Sequence, residues 1–283
     1  MKKKVNQIKK IYRISSKFLL FSTAYLFSPL FKIFGLNLIP DLSKVNFLNF
    51  EYSANTRRLV FNTKNNKSFD KIFIDTSLST TKLCELGKKF STNKSPIQLV
   101  GHRSGYTGIY NLLFSPFIDK KITLAEIGIE DNNSIKVWRN YFKKAIIHGF
   151  EFDKNKIKKA KKHKLKKTYI HEMDVHYSRD IIESFKKTKT KFDIIIDDST
   201  HIFEDQIRVI KNCYKFLNIN GILIIEDIYK NKKKYSEENY FNSLKKIKKY
   251  FHHIVFIDCS HINNFQANWK NDKILLMVRN NKS

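Results

Sequence analysis

From about residue 105 onward the apolar positions alternate between two spacings. Short continuous apolar runs read as strands buried on both faces, and apolar residues three and four apart read as amphipathic helices. This pattern predicts a helix over Tyr106–Phe117, a strand over Lys121–Gly128 and a helix over Ser134–Phe142. A strand over Ala145–Glu151 then meets a Lys-rich helix, and further strands follow at Thr168–Asp174 and Asp193–Asp197. Helix Phe203–Leu217, strand Ile222–Asp227 and helix Ser236–Tyr250 come next. The last two strands, His252–Asp258 and Lys273–Arg279, are joined by a connection without a helical crossover, which makes them an antiparallel pair. The fold class is therefore α/β: a doubly wound, mostly parallel seven-stranded sheet with a C-terminal antiparallel hairpin.

Ahead of this region the pattern is less regular. Residues 1–38 start basic and carry an apolar run over Phe18–Phe31. That run is shorter than the roughly 20 residues a membrane-spanning helix needs, and Pro29 interrupts it. An interfacial helix on an anionic membrane surface fits this segment; the competing reading is a helix packed on the protein's own core or on a second copy in a homo-oligomer. Residues 39–104 form an accessory or lid region, with a short strand at Lys71–Asp75 and a capped helix at Ser79–Gly87. The third division, 105–283, is the α/β domain.

Charge adds a question rather than an answer. The formal net charge of +28 favours acidic partners. The excess is mostly Lys scattered among Asn and Ile, however, and a run such as Lys158–Lys167 reads as a solvated helix face. No recognition helix, aromatic-studded RNA-binding strand or metal finger is visible, so nucleic acid is disfavoured. Cys84, Cys213 and Cys259 are far apart and odd in number. They imply neither a zinc site nor a disulfide framework, and point to a reducing, cytoplasmic setting, peripheral to the inner membrane face if residues 1–38 meet lipid.

The candidate chemistry lies where the strands end. Glu126, Glu151, Asp174, Asp197 with Asp198, and Glu226 with Asp227 close five consecutive strands. Open α/β sheets bind ligands at this edge, and so many carboxylates would repel one another unless cations or hydroxyl donors sit between them. Glu151 follows a glycine turn at the distance that suits a ribose diol, and Asp174 could accept from an adenine amino group. Asp198, Glu226 and Asp227 offer the all-oxygen ligand set that Mg²⁺ prefers. His201 beside them could take a proton from a hydroxyl. The plainer reading of Asp197–His201 is a solvated turn before a helix.

Five motifs, in order, carry a resemblance: Ala125-Glu-Ile-Gly128, Ser134-Ile-Lys-Val-Trp138, Gly149-Phe-Glu151, Ile195-Ile-Asp-Asp-Ser-Thr-His201 and Ile224-Ile-Glu-Asp-Ile228. Together they resemble class I S-adenosylmethionine-dependent methyltransferases, and more narrowly the metal-dependent O-methyltransferases of macrolide sugars. The resemblance implies Asp198, Glu226 and Asp227 as Mg²⁺ ligands and His201 as catalytic base. It implies Glu126, Gly128, Ser134, Glu151, Asp174 and Asp197 as the S-adenosylmethionine pocket, with a hydroxylated small molecule or glycan as substrate. Three departures stand out: Asn132 and Asn133 replace glycines in the first loop, Ser199-Thr200 replaces Gly-Ser, and Glu151 replaces Asp. They raise the alternative of a non-catalytic, degenerate methyltransferase fold held at a membrane or in an assembly. A nucleic-acid methyltransferase is the third reading; Asp197-Asp-Ser-Thr is not the target-base motif it would need. His252-His253 read as surface residues, Trp138 and Trp269 as packing residues, with contact between Trp269 and substrate as the lesser alternative, and His102 or Tyr106 as ligand contacts.

Overall fold

The protein is described by a computed structural model over residues 69–98, 102–259 and 270–281, together with the backbone of three short strands between 36 and 62. The apolar run at 18–31 and Trp269 lie outside these residues. The chain divides into two compact units, 1–60 and 61–283. In the first, β1 (Leu36–Pro40) pairs antiparallel with β2 (Leu48–Tyr52).

The second unit is built on a mixed sheet. Its strands are β3 (Val60–Asn62), β4 (Asp70–Phe73), β5 (Thr123–Ile127), β6 (Ile146–Glu151), β7 (Thr168–Glu172), β8 (Phe192–Asp197), β9 (Leu217–Ile225), β10 (Phe251–Asp258) and β11 (Lys273–Arg279). They stand in the order β3-β4-β10-β11-β9-β8-β5-β6-β7. All seven expected strands are present: β5 through β9 run parallel, and β11 lies antiparallel between β9 and β10. Two strands extend the sheet beyond seven, because β4 pairs parallel with β10 and sets Ile72 opposite Ile257.

The helices are α1 (Lys82–Lys89), α2 (Tyr106–Phe114), α3 (Asn133–Tyr141), α4 (Lys154–Lys162), α5 (Ser178–Lys187), α6 (Phe203–Cys213) and α7 (Glu237–Leu244). Because strand side chains alternate with period two, the sheet has two cores. Leu124, Ile194, Ile196 and Ile224 face Tyr110, Phe114, Trp138 and Tyr141 of α2 and α3. Ala125, Ile195, Leu223 and Ile225 face Phe185, Ile210 and Tyr240 of α5, α6 and α7. Helices on both faces bury a mostly parallel sheet, which is why its strands read as unbroken apolar runs.

Several boundaries move for local reasons. α2 gives way to a 3-10 turn at Ser115–Phe117, where Pro116 cannot donate to the helix. α6 ends before Leu217, which opens β9 opposite Phe192; the pairing then shifts so that Ile194 faces Ile222. Residues 218–221, a turn by composition, are thus an irregularity inside a strand. α7 stops at Leu244 before Lys245, Lys246, Lys248 and Lys249, whose like charges oppose one continuous helix. The periodicity does not predict β1, β2, β3 or α5; Ile181, Ser184 and Phe185 are the narrow buried face of α5. Among the described residues no helix is long and apolar enough to cross a membrane, and the three cysteines are buried and free.

Candidate functional site

The carboxyl ends of β5, β8 and β9 are adjacent, with Ile127 opposite Asp197 and Asp197 opposite Ile225. Alternation along these strands sorts the acids. Glu126, Asp198 and Glu226 continue the face of Leu124, Ile196 and Ile224, towards α2 and α3, whereas Asp197 continues the face of Ile195, towards α6. Two carboxylates adjacent in the sequence therefore point to opposite faces of the sheet.

The turns that follow these strands carry unusual backbone. Gly128 has φ +81°, and a Cβ there would lie 2.2 Å from the Asp198 carbonyl oxygen. Glycine is required at this position by conformation and by space. Glu130 and Asn132 in the same loop also have positive φ, as do His201 and Asp227. Asn132 thus takes the left-handed angle that a glycine would, as Asn tolerates better than most residues. In the second loop His201, not Thr200, adopts the left-handed angle. Thr200 instead donates to Asp205 Oδ2 at 2.8 Å, and Ser199 donates to Asp197 Oδ1 at 2.6 Å. Positive φ recurs in plain turns at Lys164, Lys167 and Lys189, so the residues gathered at this edge, not the angles alone, distinguish it.

The largest surprise is Lys94. It enters from the segment after α1, is 3% exposed, and places its ammonium in contact with Asp198 and Glu226 and 4.0 Å from Glu126 Oε1. Burial opposes its charge, but the three carboxylates outweigh burial and hold its pKa well above the usual value. One ammonium does not neutralise the cluster. Burial pushes Glu126 up to about 7 even though Lys94 opposes it, and burial also raises Glu226, with Asp198 and Asp227 adding repulsion. Glu126 accepts from Ser134 Oγ at 2.7 Å and from Trp138 Nε1 at 3.0 Å. Glu226 Oε1 accepts from the Tyr110 hydroxyl at 2.6 Å, and Asp227 Oδ1 accepts from the Tyr106 hydroxyl at 2.7 Å. Tyr106 therefore supports an acid of the site.

Above this layer is a cavity of about 540 Å³. Gly128, Ser134, Glu151, Asp174, Asp198, His201 and Asp227 line it, together with Lys94. Glu126, Asp197 and Glu226 are buried behind the wall and do not line it. Burial raises the Asp197 carboxyl to about 7, although Ser199 and His201 act to lower it. Glu151 accepts four backbone amides: Ile129 at 3.2 Å and Glu130 at 3.1 Å from the Gly128 loop, Phe152 at 2.9 Å and Asp153 at 3.0 Å from its own turn. Asp174 accepts from the His176 amide at 2.9 Å. At the inner end, Asp198, His201 and Asp227 each offer an atom within 4.8 Å of the others, a candidate cation site. His201 Nε2 is 3.4 Å from Asp227 Oδ2 and 4.0 Å from Asp198 Oδ1.

Sequence reasoning missed Lys94 and Tyr110. Lys94 is one lysine among many, and Tyr110 sits at a core position of α2, so neither carries a local signal. His102 lies 2.7 Å from Asp272, and Trp138 is fully buried against Phe114 and Phe142.

Comparison with known proteins adds the family. A methyltransferase domain model matches residues 132–280. Two curated relatives are an 8-demethyl-8-α-L-rhamnosyl tetracenomycin-C 2′-O-methyltransferase of Streptomyces olivaceus and an L-olivosyl-oleandolide 3-O-methyltransferase of Streptomyces antibioticus. The first is 26% identical over 44% of this chain and 33% of the relative. The second is 25% identical over 44% of this chain and 32% of the relative. The chain thus spans about a third of the length of the curated relatives it matches. Among solved structures, the MycE methyltransferase of mycinamycin biosynthesis, in complex with Mg and SAH, shares the fold. It has a TM-score of 0.53 at 16% identity, over 71% of this chain and 55% of MycE. From the matched domain and the fold around its cavity, the chain belongs to the class I S-adenosylmethionine-dependent methyltransferases, as a relative of the macrolide and sugar O-methyltransferases.

Proposed function

We propose that the chain transfers a methyl group from S-adenosylmethionine to a hydroxyl of a sugar or sugar-bearing metabolite, with Mg²⁺ assistance. The observation that carries this reading is the convergence of Asp198, His201 and Asp227 on the wall of the cavity that Gly128, Glu151 and Asp174 also line. When bound, the cofactor supplies an electrophilic methyl group, and the metal supplies Lewis-acid polarisation of the acceptor hydroxyl.

The chain's residues do the remaining work. Asp198 and Asp227 are hard oxygen donors of the kind Mg²⁺ prefers. Glu226, the third ligand that the resemblance implies, has both oxygens engaged by Tyr110 and Lys94. His201 would take the acceptor hydroxyl's proton at Nε2, and Asp227, 3.4 Å away, would stabilise the resulting imidazolium. Glu151 fixes the Gly128 loop through the Ile129 and Glu130 amides and its own turn through those of Phe152 and Asp153, on the wall where the ribose would bind. Gly128, Ser134 and Asp174 complete the cofactor contacts, while Glu126 and Asp197 brace the pocket from behind. With cofactor and acceptor bound in this cavity, their orientation by these residues would supply much of the rate.

Transfer of labelled methyl groups to a panel of glycosylated acceptors tests the reading. Glu151→Ala should abolish cofactor binding in calorimetry. His201→Ala should leave binding intact and lower transfer by roughly 10²–10⁴-fold, the usual worth of a positioned base. Transfer that survives both substitutions unchanged would exclude this site.

A further inference from the structure

The inner half of the acidic cluster already has a cation, and that cation belongs to the chain. The Lys94 ammonium bridges Asp198 and Glu226 and lies 4.0 Å from Glu126. Its backbone is anchored independently of those contacts. The Lys94 carbonyl accepts from the Thr107 amide at 3.0 Å and the Thr107 hydroxyl at 3.2 Å, and the neighbouring Asn93 carbonyl accepts from the Ser104 amide at 2.8 Å. The segment is thus fastened to the start of α2, and its ammonium stays among the carboxylates without needing a ligand to bring it there. Tyr110 occupies the other oxygen of Glu226. Asp198, Asp227 and His201 line the cavity beside Lys94, whereas Glu226 does not reach it.

We propose that Lys94 is a built-in counter-cation that withdraws Glu226 from the metal's donor set and weakens divalent binding, leaving the ion to Asp198 and Asp227. The inference rests on the metal reading given above. Its physical basis is simple: an ammonium and a divalent ion that share Asp198 repel each other across a site shielded from water, where charges interact more strongly than in bulk solvent. The carboxylate between them cannot satisfy both fully. A site with two carboxylates and a resident positive charge behind them binds weakly and exchanges its ion readily. Lys94 would be a positioning residue: it acts on the ligands, not on the substrate.

A double-mutant cycle on the full chain tests this, with Mn²⁺ followed by its electron paramagnetic resonance signal and Mg²⁺ by calorimetry. Lys94→Met should tighten Mn²⁺ binding by on the order of tenfold or more, because it removes the repulsion and releases Glu226. Glu226→Gln should change the affinity of the Lys94-bearing chain by less than about threefold, yet cost the Lys94→Met chain about tenfold, a coupling typical of groups in one network. Equal or weaker binding by Lys94→Met, or loss of binding on Glu226→Gln while Lys94 is present, overturns the proposal and leaves the metal reading standing. If neither the natural chain nor any variant binds Mn²⁺, the metal reading itself fails and this inference falls with it. Lys94→Met leaves buried carboxylates unpaired and will destabilise the metal-free fold. If that variant does not fold, Lys94→Gln, which removes the charge but keeps a donor for the carboxylates, should likewise tighten Mn²⁺ binding by on the order of tenfold, and equal or weaker binding overturns the proposal.

Discussion

Asp197 and Asp198 differ by one position and by almost everything else. Asp198 reaches the cavity and the Lys94 ammonium, while Asp197 is buried on the opposite face with Ser199 as its hydrogen-bond donor. That burial has a measurable consequence. Its folded-state pKa of about 7 exceeds the ordinary carboxyl value of 3.8, so the folded chain holds the proton more tightly than the unfolded chain. The stability this contributes is complete below about pH 4 and is lost as pH rises through 7. Asp197→Asn keeps an acceptor for Ser199 and removes the titration. Denaturant unfolding of the metal-free chain at pH 4.5 and pH 8 should therefore show the variant gaining on the natural chain as pH rises. A gap that is constant or shrinks would mean that Asp197 is already ionised in the folded state. His201 illustrates the opposite case: its position in the motif was legible, but its left-handed backbone was not, because φ depends on how two loops meet.

At the scale of elements, the site depends on how closely the loop after β5 approaches the end of β8. Gly128 donates its amide to the Phe150 carbonyl at 2.8 Å, and the Asp198 amide donates to the Ile127 carbonyl at 2.8 Å. The ends of β5, β6 and β8 are thus fastened together, with no room for a side chain at Gly128. Gly128→Ala forces either the loop or the Asp198 carbonyl to move and puts an L-residue at φ +81°. We expect a loss of about 2–4 kcal/mol in denaturant unfolding, together with loss of S-adenosylhomocysteine binding in calorimetry. Unchanged binding would mean that the loop is not part of the cofactor pocket. The elements themselves were largely readable from periodicity. The missed α5 has only a narrow buried stripe of Ile181, Ser184 and Phe185, and β9 incorporates an Asn-Gly stretch that local composition assigns to a turn.

Across the whole molecule, charge has two separate roles. Most lysines of α4 are solvated, since only Ile157 and Ala160 of that helix are buried, and of them Lys156 alone reaches the wall of the cavity. Near the sheet edge the balance is reversed, with four carboxylates, Glu126, Asp198, Glu226 and Asp227, around one ammonium. A cation bound there would stabilise the fold by linkage, by about 2.7 kcal/mol at a hundredfold excess over its dissociation constant. Thermal unfolding should shift upward with Mg²⁺ and S-adenosylhomocysteine together, and return to the starting midpoint on addition of EDTA and dialysis. No shift at millimolar Mg²⁺ would show that Lys94 alone balances the cluster.

The sequence by itself determined the alternation of strands and helices, the antiparallel end of the sheet, the acids that close the strands and the position of His201 beside them. These are local properties, set by side-chain period and by the order of short motifs. Only the tertiary structure decided that Tyr110 and Tyr106 serve as donors to Glu226 and Asp227, and that Lys94 lies within the acidic cluster. Each of those facts depends on contacts between residues far apart in the chain, 132 positions in the case of Lys94 and Glu226. No periodicity records such a pairing, and a lysine in a Lys-rich chain gives no sign that it is the buried one.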